Sequence, residues 1–194
     1  MKNTAFIRLA SVCAILAGIG GVLYGVAFVI LGNPLLYSVL LMLAGLLTSV
    51  VLVALYDQLH ESDSAWSMLA ILIGLIGSIG SVIHGGYDLA NAIHPPVTLN
   101  ADLPSQIDPR GLLTFGLLGT AVLIFSALMR RGDQFPKNLA AVGLLLGVLM
   151  IVIYLGRLII LDPTNIIVRI ALLLGVIANT VWFIWLGLTW RRAA

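Results

Sequence analysis

Between Ala5 and Leu31 the chain carries a single charged side chain, Arg8, in an otherwise apolar run. Five further runs of the same kind follow, at about 35–57, 65–91, 110–130, 137–161 and 164–190. About 30 Å of hydrocarbon takes about 20 apolar residues to cross, and each run is long enough. Within lipid an open strand leaves its backbone groups without partners, so each run must be a helix. The composition leaves little alternative: 61% of the residues are hydrophobic and 9% are charged. A soluble domain has roughly 45–50% apolar and 25% charged residues, enough to cover a water-facing surface. The expected fold is therefore all-α, a polytopic membrane protein of six transmembrane helices in one domain, 1–194. No length is left over for a separate soluble enzyme domain.

The cations set the expected direction. With the N-terminus inside, Lys2, Arg8, Arg130, Arg131, Lys137, Arg191 and Arg192 are cytoplasmic, and Arg110, Arg157 and Arg169 are outside. That bias places both termini in the cytoplasm. Trp66 and Trp190 then mark the inner interface, while Tyr24, Tyr37, Tyr87 and Tyr154 lie toward the outer one. The acidic first loop, "DQLHESDS", opposes this slightly, but acids count little in the rule. The first apolar run is far longer than the 7–15 residues of a signal peptide's apolar core, so it reads as a retained helix. The net charge of +2 comes from scattered cations, which argues against a nucleic-acid partner. Cys13, the single cysteine, makes no intrachain disulfide and reads as a small core residue.

The odd-numbered runs align without gaps. "RLASVCAILAGIGGVLYG" from Arg8, "MLAILIGLIGSIGSVIHG" from Met68 and "NLAAVGLLLGVLMIVIYL" from Asn138 share Leu-Ala near their start. They share Val-Leu-Tyr, Val-Ile-His and Val-Ile-Tyr near their end. Each even run is introduced by an Asx-Pro pair: Asn33-Pro34, Asp108-Pro109 and Asp162-Pro163. Asn or Asp caps the free N–H groups of a first turn, and Pro fits the first helical position. This predicts a two-helix unit repeated three times, at about 5–57, 65–130 and 137–190, around a pseudo-threefold axis along the membrane normal. Ala17, Gly21 and Gly25 form a ladder of small residues, matched by Gly77, Ser81 and Gly85. Such ladders let backbones approach, and they predict closer packing of the first helix with the third than of either with the fifth.

The second unit is longer than its sisters. Tyr24 precedes Asn33 by nine residues and Tyr154 precedes Asp162 by eight, but His84 precedes Asp108 by twenty-four. The insertion falls in the extracytoplasmic loop 92–107, "AIHPPVTLNADLPSQI", whose prolines suggest a shaped cap over the outer face. Tyr24, His84 and Tyr154 occupy one column of the alignment. They form either a shared polar pocket or only the amphipathic rings usual at an interface. His84 and Asp88, four apart, share a helix face, and with His94 they offer the ligand types of a metal site. The plainer reading is a His-Asp pair in an interfacial network. Membrane hydrolases of the alkaline-ceramidase type combine His, Asp and Ser but use more histidines. No HExxH or comparable motif is present, nor a facing histidine pair for haem, so any metal or cofactor is left open. Arg157 and Arg169 suit an ion network with Asp88, Asp108 or Asp162, an anionic ligand or headgroup, or plain snorkelling. Asn179 is the polar residue nearest mid-membrane and is expected to bond across helices, worth roughly 0.6–2 kcal/mol. No charge lies at that depth, which argues against a proton relay or ion pump.

The segments "IHGGYDLANAIHPP", "DPRGLLTFG" and "YLGRLIILDPTN" resemble those of uncharacterised prokaryotic six-helix integral membrane proteins. The resemblance covers most of the chain. It implies the fold and a cytoplasmic-membrane location and carries no activity. The residues themselves suggest a non-enzymatic carrier or sensor that binds a small or lipid-like ligand at the outer face. His84, Asp88, Arg157, Arg169, Tyr24, Tyr154 and His94 are the expected contacts. The alternatives are an accessory subunit that docks a membrane partner or further copies of itself, and a metal-dependent membrane hydrolase. The remaining partner is the lipid bilayer.

Overall fold

Six helices, all long and apolar enough to cross a membrane, follow one another along the chain. The computed structural model describes residues 4–95, 107–160 and 165–193. Helix α1 spans Thr4–Gly25 and widens into a π-helical turn over Val26–Ile30. Helices α2 (Pro34–Leu59) and α3 (Ser64–Ile93) follow. A 3-10 turn, Pro109–Gly111, and a π-helical segment, Leu112–Leu117, lead into α4 (Leu118–Arg131). The last two are α5 (Lys137–Ile159) and α6 (Ile166–Ala193). The expected caps at Asp162-Pro163 and most of the 92–107 loop lie outside the described residues.

The helix starts follow local chemistry. The Asn33 side chain accepts the N–H of Leu36 at 3.1 Å with Pro34 at the first helical position, and Asp63 accepts that of Trp66 at 3.2 Å. Gly32, at φ +56°, supplies the left-handed step between α1 and α2.

Neighbours in sequence are neighbours in space, and α1 closes the ring against α6. All six seams are antiparallel, so both termini lie at one end of the bundle, the near end. Small residues set the closest seams. A Cβ at Gly45 would stand 2.6 Å from the Ser78 carbonyl of α3, and one at Gly147 would stand 2.9 Å from the Gly119 carbonyl of α4. Hydroxyls bond across the same places: Ser78 Oγ donates to the Gly45 carbonyl at 2.7 Å, and Ser11 Oγ to that of Gly187 at 2.8 Å. Where lipid supplies no hydrophobic drive between helices, close backbone contact and such bonds hold them together.

The expected pairing of α1 with α3 is not found among the described residues: the ring separates them. The Ala17-Gly21-Gly25 ladder faces α6, with Gly21 against Asn179 and Gly25 against Val176. The matching ladder of α3 is divided. Gly77 meets Leu113 and Leu118, and Gly85 meets Ser38 and Met42 of α2. Helical spacing fixes which residues share a face but not which helix that face meets.

The core fills unevenly. Toward the near end Leu55, Leu59, Phe125, Leu128, Leu139, Trp182, Leu186 and Trp190 are buried in one cluster. Trp190 Nε1 donates to Gln58 Oε1 at 3.0 Å, and Arg131 pairs with Asp63 at 3.6 Å. The opposite half, toward the far end, holds a space between the helices.

Candidate functional site

All six spans contribute residues to a cavity of about 140 Å³ between the helices of the far half. Its walls are mainly apolar: Leu41, Phe115, Leu118, Met150, Ile153 and Leu172 among others. Tyr24, Thr48, Ser81, Thr114 and Asn179 add polar groups. Ser81 spends its hydroxyl on the Gly77 carbonyl of its own helix, at 3.0 Å.

A polar cluster stands at the far end of this cavity, centred on Asp108. The turn before α4 takes two consecutive left-handed steps, Arg110 at φ 59° and Gly111 at φ 85°. That conformation is easy for glycine and uncommon for arginine, so this turn holds some strain. Its effect is to swing the chain beneath the Asp108 carboxylate. Asp108 was expected to cap a regular first turn, as Asn33 does. It accepts instead from residues further on, Leu113 N at 2.7 Å and Thr114 N at 3.2 Å. Thr114 Oγ1 adds a 2.6 Å bond, and His84 Nδ1 lies 3.2 Å away. The Asp108 side chain is fully buried. Burial raises its carboxyl, but the bonds to His84 and Thr114 and to the two backbone N–H groups outweigh that and hold it below the usual carboxylate range.

His84 joins two carboxylates. Its Nε2 lies 3.3 Å from Asp88 Oδ2, one turn along α3, while its Nδ1 faces Asp108. Ionised carboxylates only accept, so both bonds form together only when the ring carries both protons or when one carboxyl does. The cluster thereby ties α3 to the start of α4, and through Thr114 it reaches the cavity wall.

Arg157 approaches the same place from α5. Its guanidinium carbon lies 5.8 Å from the centre of the Phe115 ring, and Phe115 lines the cavity. A cation over such a ring gains about 0.5–2 kcal/mol. Gly111 makes room for it, since a Cβ there would stand 3.2 Å from Arg157 Nη1. Among the described residues no carboxylate lies within ion-pair distance of Arg157: of its expected partners, Asp88 and Asp108 pair with His84 instead, and Asp162 is outside them.

The other expected contacts divide. Tyr24 lines the cavity and stacks on Phe28 at 5.8 Å. Tyr154 packs over Gly116, where a Cβ would meet its ring at 3.2 Å. Tyr24, His84 and Tyr154 thus gather at one end of the bundle without bonding to one another. Arg169 is exposed on the outward face of α6 among Ile166, Ile170 and Leu173. His94 is exposed at the end of α3, about 15 Å along the helix from His84. Among the described residues no three His, Cys, Asp or Glu side chains are grouped to hold a metal.

Three contributors escape the sequence pattern. Thr114, Phe115 and Thr48 have ordinary neighbours, and only their place in the bundle gives them a role. Asn179 was expected to bond across helices. No described residue bonds to its side chain, which rests over Gly21 at the cavity wall. Gly21 offers no side-chain acceptor, and its carbonyl serves its own helix. Comparison with known protein families, curated proteins and solved structures gave no match.

Proposed function

We propose that the chain is a non-enzymatic membrane protein that binds a small or lipid-like ligand in the central cavity, as a carrier or a sensor. The observation that carries this reading is the cavity itself, apolar-walled, polar at its far end and lined by all six spans. Ligand sites combine such walls with a few convergent polar groups. At about 140 Å³ it suits a single ring or a short piece of a lipid chain, since a dry cavity of about 150 Å³ accepts benzene. Tyr24 contributes directly. His84, Asp88 and Arg157 act at the far end, where the first two position Thr114 through Asp108, and Tyr154 backs the wall through Gly116.

The far end is the extracytoplasmic one in this reading, with both termini in the cytoplasm and, in a prokaryote, the cytoplasmic membrane as the location. The cation bias supports this orientation. The threefold repeat also belongs to the proposal. Leu41 and Ala44 of α2, Phe115 and Leu118 of the fourth span, and Leu172 and Gly175 of α6 line the cavity at one common spacing. Three two-helix units around an axis through the cavity account for that.

Native mass spectrometry from mild detergent tests the binding. The wild type should retain a small-molecule adduct, supplied from a membrane lipid extract, that Ala44→Phe loses by filling the cavity. Equal spectra for the two proteins, with the variant folded, overturn the proposal.

A further inference from the structure

Three polar side chains border the cavity with no hydrogen bond to any described residue: Tyr24 toward the far end, and Thr48 and Asn179 deeper in. Thr48 is 5% exposed and makes none to the carbonyl one turn back, unlike Ser49, which bonds to Gly45 at 3.1 Å. Asn179, on α6, makes none at all, although Thr180 beside it bonds to Val176 at 2.9 Å. Both border the cavity, and both lie about 20 Å along their helices from the far end, at 1.5 Å per residue. They therefore share one depth, near the middle of their spans. An amide or hydroxyl left without a partner in an apolar medium costs about 1–3 kcal/mol or more. Gly21 keeps this arrangement possible, because a Cβ there would stand 2.5 Å from Asn179 Nδ2.

We infer that the cavity takes an uncharged, ring-sized amphiphile whose hydroxyl-type group reaches down to Thr48 and Asn179 while its apolar body lies among Leu41, Phe115, Met150 and Leu172. This rests on the cavity reading above and adds the ligand's chemistry and polarity. Charge is excluded by the surroundings. The ionisable cluster His84–Asp108 belongs to the far end, and no Asp, Glu, Lys, Arg or His is among the cavity-lining residues. A hydroxyl matches the pair because an amide and a threonine hydroxyl each donate and accept. Size sets the rest: the volume holds one ring with its substituent and excludes a whole phospholipid.

The test uses two probes of nearly equal shape, 4-fluorophenol and fluorobenzene, titrated into the full chain in nanodiscs and followed by ¹⁹F NMR. Saturable binding of 4-fluorophenol is expected, tighter than that of fluorobenzene. Asn179→Leu should weaken 4-fluorophenol roughly five- to tenfold, the equivalent of one lost hydrogen bond, and change fluorobenzene by less than about twofold. Thr48→Val should act in the same direction. Both substitutions are apolar and of similar size, so the fold should survive them, which thermal unfolding checks. Ala44→Phe should abolish both signals. Equal affinity for the two probes, unmoved by Asn179→Leu, overturns the inference and leaves the cavity reading standing. Saturable binding of neither probe overturns both.

Discussion

Replacing Asp108 should cost more stability than replacing any other single side chain at the far end. Its buried carboxylate accepts from Leu113 N, Thr114 N and Thr114 Oγ1 and faces His84 Nδ1. Asp108→Ala strips all four at once. His84 keeps Asp88, but two backbone N–H groups at the head of the π-helical segment lose their acceptor. Each such orphan costs about 1–3 kcal/mol, and losing one partner of a buried charged pair costs about 3–5 kcal/mol. Water can reach a helix end, so about 3 kcal/mol is the working value. At about 2–4 °C per kcal/mol for a chain of this size, the midpoint should fall by about 6–12 °C. Thr114→Val removes one charge-assisted bond and should cost about 1.5 kcal/mol, or about 3–6 °C. The chain supplies its own reporter. Cys13 is its single cysteine and is 6% exposed, so a thiol-reactive fluorophore reads unfolding in mild detergent. A midpoint for Asp108→Ala within about 2 °C of wild type would refute the reasoning. So would equal losses for Asp108→Ala and Thr114→Val, because the carboxylate would then contribute nothing beyond the hydroxyl bond.

Acid should erase part of that difference. A carboxyl held below its ordinary value in the fold contributes stability that is fully present above the unfolded pKa, near 4, and is lost as the pH falls through the lower folded value. The gap between wild type and Asp108→Asn should stay constant from about pH 7 to 5 and narrow below about pH 4; a gap that widens in acid contradicts the assignment. Glycine substitutions offer a check on the seams. Gly147→Ala places a Cβ 2.8 Å from Leu123 Cβ and should cost about 1–3 kcal/mol, whereas Gly20→Ala meets nothing within 4 Å and should be neutral or slightly stabilising. The same Cys13 assay measures both, and equal effects would show that helix propensity, not the α4–α5 contact, decides.

The spans were legible because lipid allows a long apolar run almost no alternative to a helix. The cap at Asn33 was equally legible: an Asx-Pro pair before an apolar run acts locally, and Leu36 N completes it. The same pair at Asp108 behaves differently for a tertiary reason. The left-handed Arg110-Gly111 step carries the carboxylate onto Leu113 and Thr114, and His84 arrives from another helix. "DPRG" marks a turn, but nothing in four residues says that a histidine far upstream will join it. Pairing of His84 with Asp88 was visible as a spacing of four, and the bridge to Asp108 was not.

Small residues carry the deeper ambiguity. Gly45, Gly147, Gly21 and Ala44 look alike in sequence, each a small residue in an apolar run, yet they do different things. Gly147 is a seam, because the Gly119 carbonyl and Leu123 close upon it. Gly21 is a cradle, because an amide lies across it. Ala44 borders a space. What separates these roles is the size of the residue opposite, and that depends on which helix is the neighbour. A ladder in α1 read as a match for α3 belongs instead to α6. Once the ring order is known, the useful signal is the polar residue and not the small one. An amide midway along a span costs too much to stand idle. Asn179, with a glycine across the seam and no bond to a described residue, therefore marks the depth at which the cavity has to supply a partner.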